Sequence, residues 1–271
     1  MDRYVVMGNP VSHSLSPAIH AAFARATGEE VEYDRLLIPP AGFREHASRF
    51  FDEGGRGANV TLPFKVDAFE WADVRSDRAQ VAGAANFLAA RDGRMFADNT
   101  DGAGLVRDLA ANNGVRLADA RLLVLGAGGA TRGILAPLIA AKVAHIVVAN
   151  RTAARAMELA ARFREHGGVE GVGLDAIPRD RYDVVLNATS TSTRGEELVL
   201  PPHALPHGAF AYDLAYGPGA RAFVERAKAA GMRASDGLGM LVEQAAESFE
   251  LWRGKRPSTA PVLVELRARM A

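Results

Sequence analysis

The chain has 271 residues, zero formal net charge, 48% hydrophobic and 24% charged residues, enough for one large or two modest folded units and with no bias toward a polyanionic partner such as nucleic acid. It contains no cysteine, which excludes disulfides, thiolate metal sites and a cysteine nucleophile, and suits a reducing compartment. The start, Met1 to Gly8, lacks a basic, apolar leader, and no apolar run approaches the roughly 18 residues needed to span a bilayer, so a cytoplasmic protein without membrane attachment is expected.

Strand-like and helical patterns alternate along the chain, which predicts an α/β fold. Arg3–Met7 reads as a strand and Ser16–Ala26 as a helix with Pro17 in its first turn and Gly28 as its stop. Strand Glu30–Ile38, helix Gly42–Asp52, strand Gly57–Leu62, a helix near Ala79–Ala82 and a strand-turn pattern over Ala85–Met95 complete a first unit near residue 100. Leu105–Asn113 reads as the helix leading out of it. Strands at Arg121–Leu125, His145–Ala149, Val169–Gly173, Asp183–Asn187 and Phe210–Asp213 then predict a parallel sheet with crossover helices. A final helix, Leu238–Trp252, places Leu238, Leu241, Val242, Ala245, Phe249 and Trp252 on one face, with Gln244 at its edge one turn before Ser248.

The turn after Arg121–Leu125 reads Gly126-Ala127-Gly128-Gly129-Ala130-Thr131-Arg132-Gly133. It departs from G-x-G-x-x-G at Thr131, yet Gly126 and Gly128 meet the same needs, a tight turn and close backbone approach to a pyrophosphate at a helix start. The next strand ends in Asn150-Arg151-Thr152, with Arg155 one turn on, where an NAD site usually carries a carboxylate. Guanidiniums and a hydroxyl suit a 2′-phosphate, which favours NADP; a helix-capping role for Thr152 is compatible with that.

Of the 32 basic residues only four are lysines, and Lys65 closes the run Asn59-Val60-Thr61-Leu62-Pro63-Phe64-Lys65. Arg stays protonated whereas Lys can exchange a proton, so Lys65 is either a loop lysine or a general acid/base. Ser14 and Ser16 suit the carboxylate of a small acid, although Ser16 before Pro17 also reads as a plain helix cap. Asn86 and Asn99-Thr100-Asp101-Gly102 could likewise be turn and cap residues. His13 and His20 have no carboxylate at metal-ligand spacing and read as structural, and no metal is expected.

The blocks NPVSHSLSP, GANVTLPFK, NTDGAG, GAGGATRG, NRTAAR, YDLAYGP and DGLGMLVEQAAESFELWRG, in this order, resemble the shikimate dehydrogenase family over nearly the whole chain. Two α/β domains are expected, the second a Rossmann-like parallel sheet: 1–102 plus 238–271, with the C-terminal helices returning to the first, for substrate and catalysis, and 103–237 for NADP, in a monomer or homodimer. The resemblance implies NADP-dependent reduction of 3-dehydroshikimate to shikimate, in aromatic amino acid biosynthesis. Residues matching Ser14, Ser16 and Tyr216 would take the substrate carboxylate, those matching Asn59, Thr61, Asn86, Asp101 and Gln244 the ring hydroxyls, and Lys65 with Asp101 would form the catalytic pair. Gly126, Ala127, Gly128, Gly129, Ala130, Asn150, Arg151, Thr152 and Arg155 would hold the adenosine and phosphate half of the cofactor. Leu214, Gly237 and Met240 would approach the nicotinamide, with Asp77 a further cofactor-side position. Ala21, Phe87 and the run from Ser190 to Arg194 depart from the family pattern. Remaining alternatives are a quinate/shikimate dehydrogenase of broader substrate or cofactor use and a non-catalytic NADP-binding sensor.

Overall fold

In a computed structural model describing residues 1–189 and 198–270, the alternation of strands and helices resolves into two six-stranded sheets, each within its own unit. Unit 1 comprises Met1–Gly104 and Val242–Ala271, and unit 2 comprises Leu105–Leu241. The departure at 190–194 lies outside the described residues.

Unit 1 contains β1 (Asp2–Gly8), α1 (Ser16–Thr27), β2 (Val31–Leu37), α2 (Phe43–Asp52), β3 (Gly57–Val60), α3 (Lys65–Trp71), β4 (Val74–Arg75), α4 (Asp77–Ala82), β5 (Phe87–Arg91) and β6 (Arg94–Asp98). The sheet order is β2-β1-β3-β5-β6-β4, and it is mixed: β1 is parallel to β2 and β3, whereas β5 is antiparallel to both β3 and β6. Met7, Ile38, Phe43, Val60, Phe64 and Leu88 fill the core beneath it. Helix α1 ends where Gly28 turns left-handed at φ 69° and donates its N–H to the Ala24 carbonyl, as its sequence predicts.

The exit helix begins four residues earlier than the periodicity predicts. Helix α5 (Asp101–Arg107) starts at Asp101, whose N–H is donated to Asn99 Oδ1 at 3.2 Å, and continues as a π-turn over 108–112. Gly102 and Gly104 inside the first turn hide that start from a propensity reading.

Unit 2 holds β7 (Arg121–Leu125), α6 (Gly129–Ala140), β8 (His145–Asn150), α7 (Ala153–Arg162), β9 (Val169–Gly173), β10 (Val184–Asn187), β11 (Phe210–Asp213), α8 (Arg221–Ala229) and β12 (Arg233–Asp236). All its strands are parallel, in the order β12-β11-β10-β7-β8-β9, so the strand order reverses between β7 and β10. That reversal is where an open parallel sheet of this Rossmann type offers a crevice for ligands.

Helix α9 (Leu238–Arg253) runs from unit 2 into unit 1, and α10 (Ala260–Met270) closes the chain. Burial on α9 is wider than the predicted stripe: every residue from Val242 to Ala246 is buried, Glu243 and Gln244 included. The polar side is covered because Glu243 pairs with Arg256 at 3.2 Å and accepts from Thr259 Oγ1 at 2.7 Å. Trp252 anchors the helix by donating to the Leu88 carbonyl at 3.0 Å and lies over Gly57, where a Cβ would come within 2.2 Å of the indole.

Candidate functional site

In unit 1 the sequence candidates converge on a buried polar network. Lys65 opens α3, with its carbonyl accepting from Ala85 N–H at 2.8 Å, and its Nζ donates to Asp101 Oδ2 at 2.5 Å. The start of a helix is an unfavourable place for a cation, and Asp101 offsets it. The other carboxylate oxygen of Asp101 accepts from Asn86 Nδ2 at 2.8 Å. That amide also reaches Thr100 Oγ1 at 2.9 Å and Gln244 Oε1 at 3.3 Å, while Asn86 Oδ1 accepts from Thr100 N–H at 2.7 Å.

The network continues through Asn59, whose Nδ2 donates to the Asn86 carbonyl at 3.2 Å and to Ser248 Oγ at 2.9 Å. Its Oδ1 accepts from the Tyr33 hydroxyl at 2.8 Å. Asn59, Asn86 and Thr100 are 5% exposed or less, whereas the Lys65 and Asp101 side chains retain 19% and 11%. The network therefore opens outward at its ionic end. An ammonium carries three N–H donors, and the Asp101 contact uses one, so the others remain available to a bound carbonyl or hydroxyl.

The hydroxyls of Ser14 and Ser16 lie together at the start of α1, with Ser14 Oγ donating to Ser16 Oγ at 3.1 Å. Ser16 does not cap this helix: Leu15 holds the cap position in a helical conformation and no side chain caps it. The Ser16 hydroxyl is thus not spent on the helix. Thr61 follows β3, half-buried, with its N–H tied to the Met7 carbonyl at 2.9 Å. His13 is exposed. His20 is fully buried, stacked on Tyr33 at 4.1 Å, and neither ring nitrogen has a hydrogen-bond partner. Burial pushes its pKa down to about 3, against a smaller opposing pull from Asn59, which is near but not in bonding geometry. Among the described residues no group of His, Asp and Glu could hold a metal ion.

In unit 2 the candidates for the phosphate half of the cofactor are backbone and surface groups. Gly126 adopts φ +103°, and a Cβ there would come within 3.0 Å of the Ala188 carbonyl, at the point where the strand order reverses. A Cβ at Gly128 or Gly129 would meet nothing within 4 Å, leaving the start of α6 open between Ala127 and Ala130. That open, donor-rich helix end fits a pyrophosphate. Asn150 Nδ2 donates to the Thr152 carbonyl at 3.0 Å, and Thr152 holds the cap position of α7 without using its side chain. Arg151, Thr152 and Arg155 are all exposed there with no carboxylate at the strand end, a donor set that fits a 2′-phosphate.

Leu214 and Gly237 are brought together: a Cβ on Gly237 would lie 2.3 Å from the Leu214 carbonyl oxygen. Met240 is buried in the first turn of α9, and half-buried Tyr216 has its phenol pKa raised by burial. Asp77 is exposed at the start of α4, in unit 1.

Comparison with known proteins follows the same division. Residues 6–88 match the model of the shikimate dehydrogenase substrate binding domain, 108–198 that of shikimate / quinate 5-dehydrogenase, and 237–266 that of the shikimate 5′-dehydrogenase C-terminal domain. The shikimate dehydrogenase (NADP(+)) of Cupriavidus necator is 53% identical over 99% of this chain and 94% of its own. The chain belongs to the shikimate dehydrogenase family. Among solved structures of similar fold, an Ael1 enzyme from Pseudomonas putida has a TM-score of 0.93 at 45% identity, covering 98% of each chain. The shikimate 5-dehydrogenase of Thermus thermophilus, solved with NADP(H) and shikimate, has a TM-score of 0.87 at 34% identity over 99% of each.

Within this shikimate dehydrogenase fold, Tyr33, Thr100 and Ser248 are network members to which sequence reasoning gave no role. Thr100 lies inside the NTDGAG block, and Ser248 stands one helical turn from Gln244, so spacing on α9 was the available signal.

Proposed function

We propose that this protein interconverts 3-dehydroshikimate and shikimate with NADP(H), using Lys65 and Asp101 as its acid-base pair. The observation that carries the reading is the 2.5 Å Lys65–Asp101 contact at the partly open end of an otherwise buried network. A bound NADPH would supply the hydride that the ring carbonyl carbon takes up. As negative charge develops on the carbonyl oxygen, Lys65 Nζ hydrogen-bonds to it and transfers a proton. Asp101 holds the amine in place, and Asn86 in turn orients Asp101.

Ser14, Ser16 and Tyr216 take the substrate carboxylate, while Thr61, Asn86, Asp101 and Gln244 read the ring hydroxyls. Asn59 belongs with them in reading the hydroxyls, and it also donates to the Asn86 carbonyl and to Ser248 within the protein. Gly126 to Ala130 would hold the pyrophosphate and Asn150 to Arg155 the 2′-phosphate, while Leu214, Gly237 and Met240 would take the nicotinamide half and Asp77 a further cofactor-side position.

The test is absorbance in the NADPH band with shikimate and NADP, run beside quinate and beside NAD. Turnover fastest with shikimate and NADP is expected; no absorbance change with either acid would sink the reading. A cytoplasmic monomer or homodimer belongs to the same proposal. Among the described residues no helix is long and apolar enough to cross a membrane, and light scattering after gel filtration would give the mass.

A further inference from the structure

The first turn of α9 in unit 2 is held by groups to which the functional reading assigns no role. The leading N–H groups of a helix have no partner inside it. Here Met240 N–H is donated to the Tyr212 hydroxyl, which projects from β11, at 3.3 Å. That hydroxyl donates in turn to Asp108 Oδ2 at 2.6 Å, and Asn112 Nδ2 donates to Asp108 Oδ1 at 2.8 Å. Asp108 begins the π-turn over 108–112, a wider turn that recurs at functional sites.

Tyr212 and Asp108 are 0% and 1% exposed. Burial, followed by the charge of Asp108, raises the Tyr212 pKa well above its ordinary value, so the phenol keeps its proton. The hydroxyl then has one proton to give, to the carboxylate, and its lone pairs accept from Met240. Space confirms the fit: a Cβ on Gly239 would lie 1.9 Å from Asp108 Oδ1, so the carboxylate occupies the room that a side chain there would need. On the other side Gly237 donates its N–H to the Ala215 carbonyl at 2.8 Å and lies hard against Leu214.

We propose that Asp108 and Tyr212 are positioning residues that lock the Gly237–Met240 segment, and through it the nicotinamide ring, without touching the cofactor. This rests on the reading of Leu214, Gly237 and Met240 as the nicotinamide side. A purely structural pair would affect stability and leave the two halves of the cofactor equally well bound.

The experiment compares wild type with Tyr212→Phe, which keeps the buried ring, and Asp108→Asn, which keeps an oxygen able to accept from Tyr212. Calorimetry measures binding of NADPH and of 2′-phospho-ADP-ribose, which has no nicotinamide. Steady-state rates are taken with NADPH carrying deuterium or hydrogen at the transferred position. For Tyr212→Phe we expect NADPH binding weakened about fivefold and kcat lowered about tenfold, the scale of one lost hydrogen bond, with fragment binding changed less than about twofold. The isotope effect on kcat should rise, and Asp108→Asn should fall between wild type and Tyr212→Phe on each readout. Equal loss for NADPH and fragment, or an unchanged isotope effect and kcat in Tyr212→Phe, would overturn the proposal. If Tyr212→Phe does not fold, Asp108→Asn is judged by the same two comparisons. Were wild type not to turn over shikimate, the functional reading would fall, while the two binding constants would still judge the lock.

Discussion

The candidate acid-base network, in unit 1, is made of side chains that hydrogen-bond to one another; the candidate phosphate-binding turns, in unit 2, are made of open backbone and exposed guanidiniums. Lys65 is placed by Asp101, Asp101 by Asn86, and Asn86 by Thr100 and Gln244, so each group depends on the next. Gly128, Gly129, Arg151 and Arg155 depend on the fold of the β7–α6 and β8–α7 turns and hardly on each other. Substitutions in unit 1 should therefore be graded by distance along the network and be non-additive, whereas those in unit 2 should be local and separable.

The sharpest test of the first half is Lys65→Ala. A positioned general acid contributes roughly 10²–10⁴-fold, and kcat is expected to fall by that factor with KM for NADP unchanged. Lys65→Arg should not restore it, because a guanidinium keeps its proton at any working pH. Near-wild-type turnover by Lys65→Ala would remove Lys65 from the chemistry.

How much of this was legible in the sequence follows the same contrast. The phosphate-binding half of the cofactor side is local in the chain: a strand, a glycine run, a helix, then a second strand with its basic end, all within residues 121–155. The substrate side is not. Ser248 meets Asn59 across 189 positions and Thr100 across 148, and no periodicity connects such pairs. Lys65 read as either a loop lysine or a general acid/base, and no helix was expected there, yet it opens a helix whose backbone is tied to Ala85. The antiparallel β5 was also hidden, since a short apolar run does not announce its direction.

His20 offers the next largest effect and asks whether the unit 1 network tolerates charge at its base. Its folded pKa of about 3 lies below the ordinary 6.5, so between those values the unfolded chain binds a proton that the folded chain refuses. Stability is complete above pH 6.5 and is lost as pH falls toward 3, with about 2 kcal/mol gone by pH 5. Asp98 acts lower: burial raises its pKa, but Arg78 and Ser76 outweigh this and hold it below 3.8, so its contribution disappears only in stronger acid. In His20→Phe, which keeps a ring on Tyr33, urea melts between pH 7 and 5 should lose most of this slope. Identical slopes in both proteins would refute the assignment.

For the second half, Arg151→Ala should weaken NADP about tenfold, the value of one charge-assisted bond discounted for exposure, and leave NAD within about twofold. Equal losses for the two dinucleotides in steady-state KM would argue against 2′-phosphate binding at this turn.

The smallest effect on turnover is the most discriminating. Ser248→Ala leaves the Lys65–Asp101 contact intact but removes the acceptor 2.9 Å from Asn59 Nδ2, where the amide is buried. A stranded buried N–H costs about 1–3 kcal/mol, so a lower melting temperature is expected with kcat down only a few-fold. Thr100→Val removes the adjoining hydroxyl, 3.2 Å from Ser248 Oγ. If the network acts as a unit, the double variant should lose less stability than the sum of the singles, because the second change removes partners already lost. Strict additivity would mean that the hydroxyls act independently, and the substrate side would then be as separable as the cofactor side.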